Sequence, residues 1–328
     1  MFERKPTPTP ELAAAARAAA VEWDLDAGSI ELVAIQENAV FRAERAGAQG
    51  PVALRLHRPG YNSRAELESE VAWVSALREA GLDLPGALPN RHGEFYRAFP
   101  VGSEQREVGV IEWIDGSPLG ESLAHDSSRA AEHHRRLGAL AARVHDVSER
   151  WPRPPDFSRR SWDVAGLVGQ DPLWGRFWEV DGLTPAQADL LLRARASTHD
   201  VLAGLATTDD YGLIHADLHL HNVLVTDDDR LVMIDFDDAG YGWYAHELAV
   251  ALHPSVGEPY EVAARQALVQ GYREVRPLSD DQVTLIDTFL LIRHLMLVAW
   301  LDARPELGLQ AEMPGLVEAA TQAAERRL

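Results

Sequence analysis

The chain has 328 residues, 46% of them hydrophobic and 25% charged, with a formal charge of −20. It is long enough to bury a large core, as one extended domain or two closely packed lobes. No cysteine is present, which removes disulfides, thiolate metal sites and a cysteine nucleophile, and the acidic excess argues against nucleic acid, whose binding needs Lys and Arg to neutralise phosphates.

The opening MFERKPTPTP has neither an apolar core segment nor a small-residue cleavage site, so it reads as a loose arm rather than a secretory signal. Glu11 to Val21 is alanine-rich and predicts a helix. Ile30–Ile35, Val40–Glu44 and Val52–His57 are short apolar runs separated by the turn-like QENA and RAGAQG, which predicts a three-stranded antiparallel meander with Arg55 on its third strand. Ser63 with Glu66 forms a capping-box pattern opening a helix to about Ala80. Leu67, Val71, Val74 and Leu77 are its apolar stripe, Glu70 lies mid-helix and Gly81 stops it.

Phe95–Phe99 and Val108–Ile114 predict a further strand pair, the second ending in Glu112-Trp113-Ile114-Asp115-Gly116. Beyond this the composition turns helical, so the lobe boundary is expected at about residue 115, giving residues 1–115 and 116–328. Ala130 to Val147 reads as a helix closed by His145, with Leu137, Leu140, Ala141 and Val144 on one face. Trp151 to Trp178 is an irregular Pro- and Trp-rich insertion, and Pro185 to about Leu205 is the next helix. Helices are expected again around 245–252, 260–272, 279–301 and 316–327. The most hydrophobic window, Val283 to Trp300, is broken by Asp287, Arg293 and His294. A membrane span needs roughly 20 mostly apolar residues, so a buried helix is expected, with no membrane partner and a cytoplasmic location.

Leu213 to Ala249 carries the chemistry. His215, Asp217, His219, His221 and Asn222 precede a predicted hairpin, Val223–Val225 and Leu231–Ile234, whose second strand runs into Asp235, Asp237 and Asp238. The hairpin is expected to bring Asn222 and Asp235 together, with Asp217 on the loop leading in. Phosphoryl transfer needs an aligned hydroxyl, a base for its proton and cations on the phosphate oxygens. Asp217 is placed to be the base, and Asn222 and Asp235 offer the oxygen ligands that suit Mg2+. Arg55 is a candidate for the α- and β-phosphates, oriented by Glu70, and backbone groups of Glu112, Trp113 and Ile114 for an adenine edge. The alternatives are an Asp–Asn turn, a surface Arg55–Glu70 ion pair and an ordinary strand end. A zinc hydrolase built on the His-x-His of HADLHLH is a rival, since imidazole and carboxylate suit that metal.

Taken jointly, His215-Ala216-Asp217-Leu218-His219-Leu220-His221-Asn222, Ile234-Asp235-Phe236-Asp237-Asp238 and the run from Gly240 to Ala249 resemble the catalytic loop, metal-binding segment and closing element of the aminoglycoside phosphotransferase and choline kinase superfamily. The likeness extends through Glu37-Asn38, Arg55 and Ser69-Glu70 to Gly116 and the Leu137–His145 helix. It implies an α+β, two-lobed protein-kinase-like fold: a small antiparallel-sheet N-lobe that binds nucleotide and a larger, mainly helical C-lobe that is catalytic and binds substrate. It further implies Asp217 as base, Asn222 and Asp235 as Mg2+ ligands, ATP (less often GTP) as donor and a small-molecule hydroxyl acceptor. Asp237-Asp238 and Leu56-His57-Arg58-Pro59 resemble the branch with homoserine-kinase-like proteins and the stress response kinase A type, the latter a protein Ser/Thr kinase, so a protein acceptor stays open. The charge and the tryptophans motivate an amine-bearing acceptor, aminoglycoside- or amino-alcohol-like, held by cation–π contact; packing of the helical lobe is the alternative for the tryptophans. Arg55 stands where the family usually has Lys, and Glu247 where it has Asp, which opens a catalytically impaired nucleotide-binding module as another reading.

Overall fold

A computed structural model describes residues 8–35, 38–47, 50–205 and 210–328. Most of the expected N-terminal arm, Glu37 of the first turn and part of the next linker lie outside the described residues. In chain order the elements are α1 (Pro10–Glu22), β1 (Glu31–Ile35), β2 (Ala39–Glu44), β3 (Pro51–Leu56), α2 (Arg64–Glu79), β4 (Ala87–Leu88), β5 (Tyr96–Val101) and β6 (Glu104–Glu112). There follow β7 (Ser117–Pro118), α3 (Leu119–His125), α4 (Ala130–Arg150), β8 (Ser161–Trp162), α5 (Val164–Val168) and α6 (Pro185–Ala203). The last third holds β9 (Tyr211–Ile214), β10 (Val223–Val225), β11 (Leu231–Met233), β12 (Gly240–Trp243), α7 (Tyr244–Leu252), α8 (Glu261–Arg273), α9 (Asp280–Asp302) and α10 (Met313–Arg327). The chain divides into two compact units.

The first unit comprises Met1–Gly116, Trp151–Arg159 and Leu224–Asp237. Its sheet runs β1-β2-β3-β6-β4 with β5 on β6, and the expected meander is its antiparallel start. In β2 the alternation buries Ala39, Phe41 and Ala43, and α1 packs its small residues Ala15, Ala16, Ala19 and Ala20 into the same core. Ser63 and Glu66 close the predicted capping box on α2, whose Leu67, Val71, Val74 and Leu77 are all buried. The strand β6 begins earlier than expected and stops at Glu112, so Trp113 and Ile114 lie beyond it. Arg55 pairs with Val40 and Gly109 across β3's two neighbours, which fixes its side chain in the sheet.

The second unit comprises Ser117–Arg150, Arg160–Val223 and Asp238–Leu328. It is mainly helical, but it has its own small sheet, β8-β12-β9, which the sequence reading lacked. The β9 strand is antiparallel to β12 and β8 parallel to it. These strands are two to four residues long, too short for a period-2 pattern to show. The helix α4 runs on to Arg150, so His145 does not close it but is fully buried within it. The α9 helix is long and apolar enough to cross a membrane by length and composition, yet 61% of that window is buried inside the protein. Leu291, Leu295 and Val298 of α9 share a core with Leu191 and Ala194 of α6 and Val317 and Ala320 of α10.

Helices α4 and α8 meet through glycines. A Cβ on Gly138 would lie 2.0 Å from the Leu268 carbonyl oxygen, and one on Gly271 only 1.8 Å from that of Arg135. Backbone cannot yield as a side chain can, and overpacking of this kind typically costs about 1–3 kcal/mol. Gly271→Ala is therefore expected to lower the urea-unfolding free energy by that amount, and the midpoint with it, despite alanine's better helix propensity. An unchanged midpoint would show that the helices can part freely.

Candidate active site

In the second unit, β9 delivers the chain into the loop from His215 to Asn222. Leu218 and Leu220 are buried while His219 and His221 turn outward, so alternate residues anchor the loop. The Leu220 carbonyl also accepts the N–H of Gly120 at 3.0 Å. Ala216 has φ of +64°, a left-handed conformation that a non-glycine residue holds only under constraint. The constraint is Glu247, from the first turn of α7. Its two carboxylate oxygens accept the N–H groups of His215 at 2.7 Å and Ala216 at 2.8 Å. Glu247 is fully buried, and burial alone would raise its carboxyl; His145 and the His215 N–H outweigh this and hold it below its ordinary value. His145 in turn stacks on Tyr244 at 4.2 Å and meets the Tyr272 hydroxyl at 2.9 Å.

This clamp presents Asp217. Its backbone carbonyl and Oδ2 each accept from the Asn222 side-chain amide at 2.9 Å, so these two candidate site residues are hydrogen-bonded to each other. With its nitrogen so committed, Asn222 turns its amide oxygen away from Asp217. Arg293 of α9 donates to Oδ1 at 2.6 Å, and His219 Nε2 lies 3.3 Å from Oδ2. The Nδ1 of His219 accepts the His221 N–H at 3.1 Å, which places the ring proton on Nε2, toward the carboxylate. Burial opposes ionisation of Asp217, but His219 and Arg293 prevail and hold it well below the usual carboxylate range. The side chain keeps 19% of its surface exposed. His219 and Arg293 were both missed as groups acting on Asp217. The His219 and His221 rings stand edge-on with centres 6.0 Å apart, and among the described residues no three His, Asp or Glu side chains form a metal cage.

In the first unit, Arg55 is buried, and its Nη2 reaches Asp235 at 2.7 Å and Asp237 at 2.9 Å. Glu70, expected to orient it, is the more distant partner at 3.7 Å and is shared with Arg159 at 3.5 Å. Asp237 is the true centre. It also accepts from the Asn38 amide and faces His57 at 3.6 Å, while its carbonyl accepts from Arg159 at 2.8 Å and Asn62 at 3.1 Å. Burial works against its charge, yet Arg55 and His57 hold Asp237 far below its ordinary value. Glu70 is pushed upward by burial and by the charge of Asp237, which outweigh Arg159 and Arg55. Asp235 follows β11 at φ of +64° with a side chain 45% exposed. The expected adenine edge is partly spent: the N–H of Glu112 goes to Gly86 O at 2.9 Å and that of Trp113 to Pro51 O at 3.4 Å. The Glu112 carboxylate binds Arg78 at 2.8 Å, leaving Ile114 as the position without such a commitment among the described residues.

Comparison with known proteins now adds to this geometry. A family model described as "Phosphotransferase enzyme family" matches residues 29–279. The structure of a microcompartment-associated aminopropanol kinase is 30% identical, covers 94% of this chain and 93% of its own, and superposes with a TM-score of 0.79. A homoserine kinase of Xanthobacter autotrophicus is 30% identical over 278 residues, 81% of this chain and 78% of its own length. The amicoumacin kinase hAmiN, solved in complex with AMP-PNP, Ca2+ and Ami, shares the fold at 19% identity and a TM-score of 0.77, covering 93% of this chain and 92% of its own.

The clamp sets the acid response. Glu247, depressed when folded, contributes stability that is complete above its unfolded value of about 4.3 and is lost as pH falls through its folded one. His145, also depressed, by burial, acts in the same direction: the unfolded chain takes up its proton first, so stability falls as pH drops through about 6.5. Glu247→Gln offers only one accepting oxygen and should cost about 1–3 kcal/mol. Because the Glu247 charge raises His145, its loss deepens that residue's depression, so the urea-unfolding free energy should also fall more steeply between pH 7 and 4 than the wild type's. Equal slopes would dissociate Glu247 from acid sensitivity. Ala216→Gly, which removes the Cβ from a left-handed site, should raise the urea-unfolding free energy by roughly 1 kcal/mol.

Proposed function

As the chain belongs to the phosphotransferase enzyme family, we propose that it is an ATP- and Mg2+-dependent kinase that moves the γ-phosphate to the hydroxyl of a small amino alcohol. The observation that carries the reading is the Asp217 carboxylate, fixed at both oxygens yet open to solvent. An acceptor hydroxyl meeting it would be oriented for attack on the γ-phosphorus. The new O–P bond forms as the bond to the β,γ-bridging oxygen breaks, the electron pair leaves with ADP, and the hydroxyl proton passes to Asp217. Because Asp217 is a weak base, its part is to align the hydroxyl and receive a proton released late.

Asn222 and Asp235 would hold Mg2+. A free amide oxygen and an exposed carboxylate are hard ligands of the kind this ion takes alongside phosphates and water. When bound, the ion neutralises charge on the phosphate oxygens. Arg55 would take the α- and β-phosphates, with Asp237 and Glu70 holding its fork, and Ile114 the adenine edge. Residues 1–115 would thus serve nucleotide and 116–328 catalysis and acceptor. ATP as donor follows the AMP-PNP of the amicoumacin kinase complex, and the amino-alcohol class follows the likeness to the aminopropanol kinase. The unbroken Glu247 clamp favours an active enzyme over an impaired module.

Phosphate transfer from ATP and from GTP with Mg2+, screened over amino alcohols, aminoglycosides, homoserine, sugars and generic protein, tests this directly. Amino alcohols should be the best acceptors; transfer confined to sugars or to protein would overturn the assignment. Asp217→Asn should lower turnover at least about 1000-fold while leaving ATP affinity within about twofold. Asp235→Ala should abolish Mg2+-dependent turnover, and near wild-type rates in either variant would remove that residue from its role.

A further inference from the structure

Helix α9 is almost wholly apolar where it is buried: Phe289, Leu290, Ile292, Leu295 and Met296 are all within the core. Arg293 lies among them with 5% exposure. Its Nη2 binds Asp217, but its Nε and Nη1 are buried with no hydrogen-bond partner among the described residues. The guanidinium centre lies 5.0 Å from the centre of the Trp174 ring, so an aromatic face covers what hydrogen bonds do not. Burying a cation with two unpaired donors is costly, and an apolar side chain of like size would pack such a place at least as well. What an apolar residue cannot do is grip Oδ1 of Asp217.

We propose that Arg293 is a positioning residue for Asp217, setting the rotation of its carboxylate so that one oxygen faces the acceptor hydroxyl. Asn222 and His219 engage Oδ2 from within the loop, and Arg293, 76 residues from Asp217 in the chain, engages Oδ1. Neither contact alone fixes the carboxylate about its Cβ–Cγ bond; the two together do. Trp174 backs the guanidinium plane and fixes its direction, which a flexible, compact ammonium could not match. The inference rests on the reading of Asp217 as the residue that aligns the acceptor.

Arg293→Met removes the grip and keeps the volume. It should lower kcat about 10–100-fold with KM for ATP unchanged, both for the acceptor found by screening and for Mg2+-ATP hydrolysis by water. Arg293→Lys should recover part of that loss. In an Asp217→Asn background Arg293→Met should cause no further fall, because the group it orients is gone. Urea unfolding of the two single variants and the double gives an activity-independent check: their stability changes should be non-additive. Wild-type kcat in Arg293→Met, an equal fall in the Asp217→Asn background, or additive stabilities would each overturn the proposal. Coupled stabilities in a protein that turns over neither ATP nor any acceptor would instead overturn the kinase reading and leave the pairing intact.

Discussion

The bidentate grip of Glu247 on the His215 and Ala216 N–H groups is the contact from which the second unit's chemistry follows. A left-handed alanine costs about 1–2 kcal/mol, and two hydrogen bonds to a buried carboxylate offset that strain. Without the bend at Ala216, Asp217 would not meet Asn222, and the backbone donors of the loop would be buried unpaired. Glu247 replaces the Asp expected from family resemblance, yet both oxygens reach their donors at ordinary distances. The extra methylene is accommodated by seating the carboxylate against His145, itself wedged between two tyrosines. The departure is compensated on another helix, and it does not weaken the loop.

The Arg at position 55 is explained in a similar way. One nitrogen of its fork meets both Asp235 and Asp237 while another faces Glu70. A lysine ammonium is a single point and could not distribute itself over three carboxylates from the same sheet position. Arg55 and Asp237, the first acid after Phe236, are therefore a matched pair. Arg159 completes the charge balance, holding Glu70 on one side and the Phe236 and Asp237 carbonyls on the other. The result is a buried polar network in which Asn38, Asn62 and Arg159 supply hydrogen bonds to Asp237, while its Oδ1 meets Arg55 and His57 as ion-pair contacts.

Local signals were legible in the sequence and remote ones were not. The capping box at Ser63, the meander and the hairpin around Asp228 all depend on residues within a few positions of one another, and each forms as expected. Asp217 and Asn222 are five residues apart and were singled out together, although their direct hydrogen bond was not foreseen. Arg293 looked only like an interruption of an apolar helix, because its partner is 76 residues away. Asp237 was passed over in favour of Glu70, since a helix glutamate near a sheet arginine is a familiar pattern and a buried Asp–Asn–His–Arg cluster drawn from three segments has no pattern at all. The β8-β12-β9 sheet escaped for the same reason: two residues at Ser161–Trp162 carry no periodicity, and only the partner strand makes them a strand.

The tryptophans of the insertion show how a correct observation can point to the wrong tenant. Their abundance beside an acidic composition invited an ammonium-bearing ligand over an indole face. The faces are taken by the chain's own cations: Arg293 and Arg304 over Trp174, and Arg195 over Trp178. Trp162 is buried edge-on to Trp174, and Trp151 packs against Phe157. The insertion is thus cation–π machinery turned inward, and Trp174 spends it on an arginine that ends at Asp217. On the proposed reading, an amine on the acceptor would be recognised by something other than these rings, and Trp174 would act indirectly, by stiffening the Asp217 carboxylate through Arg293.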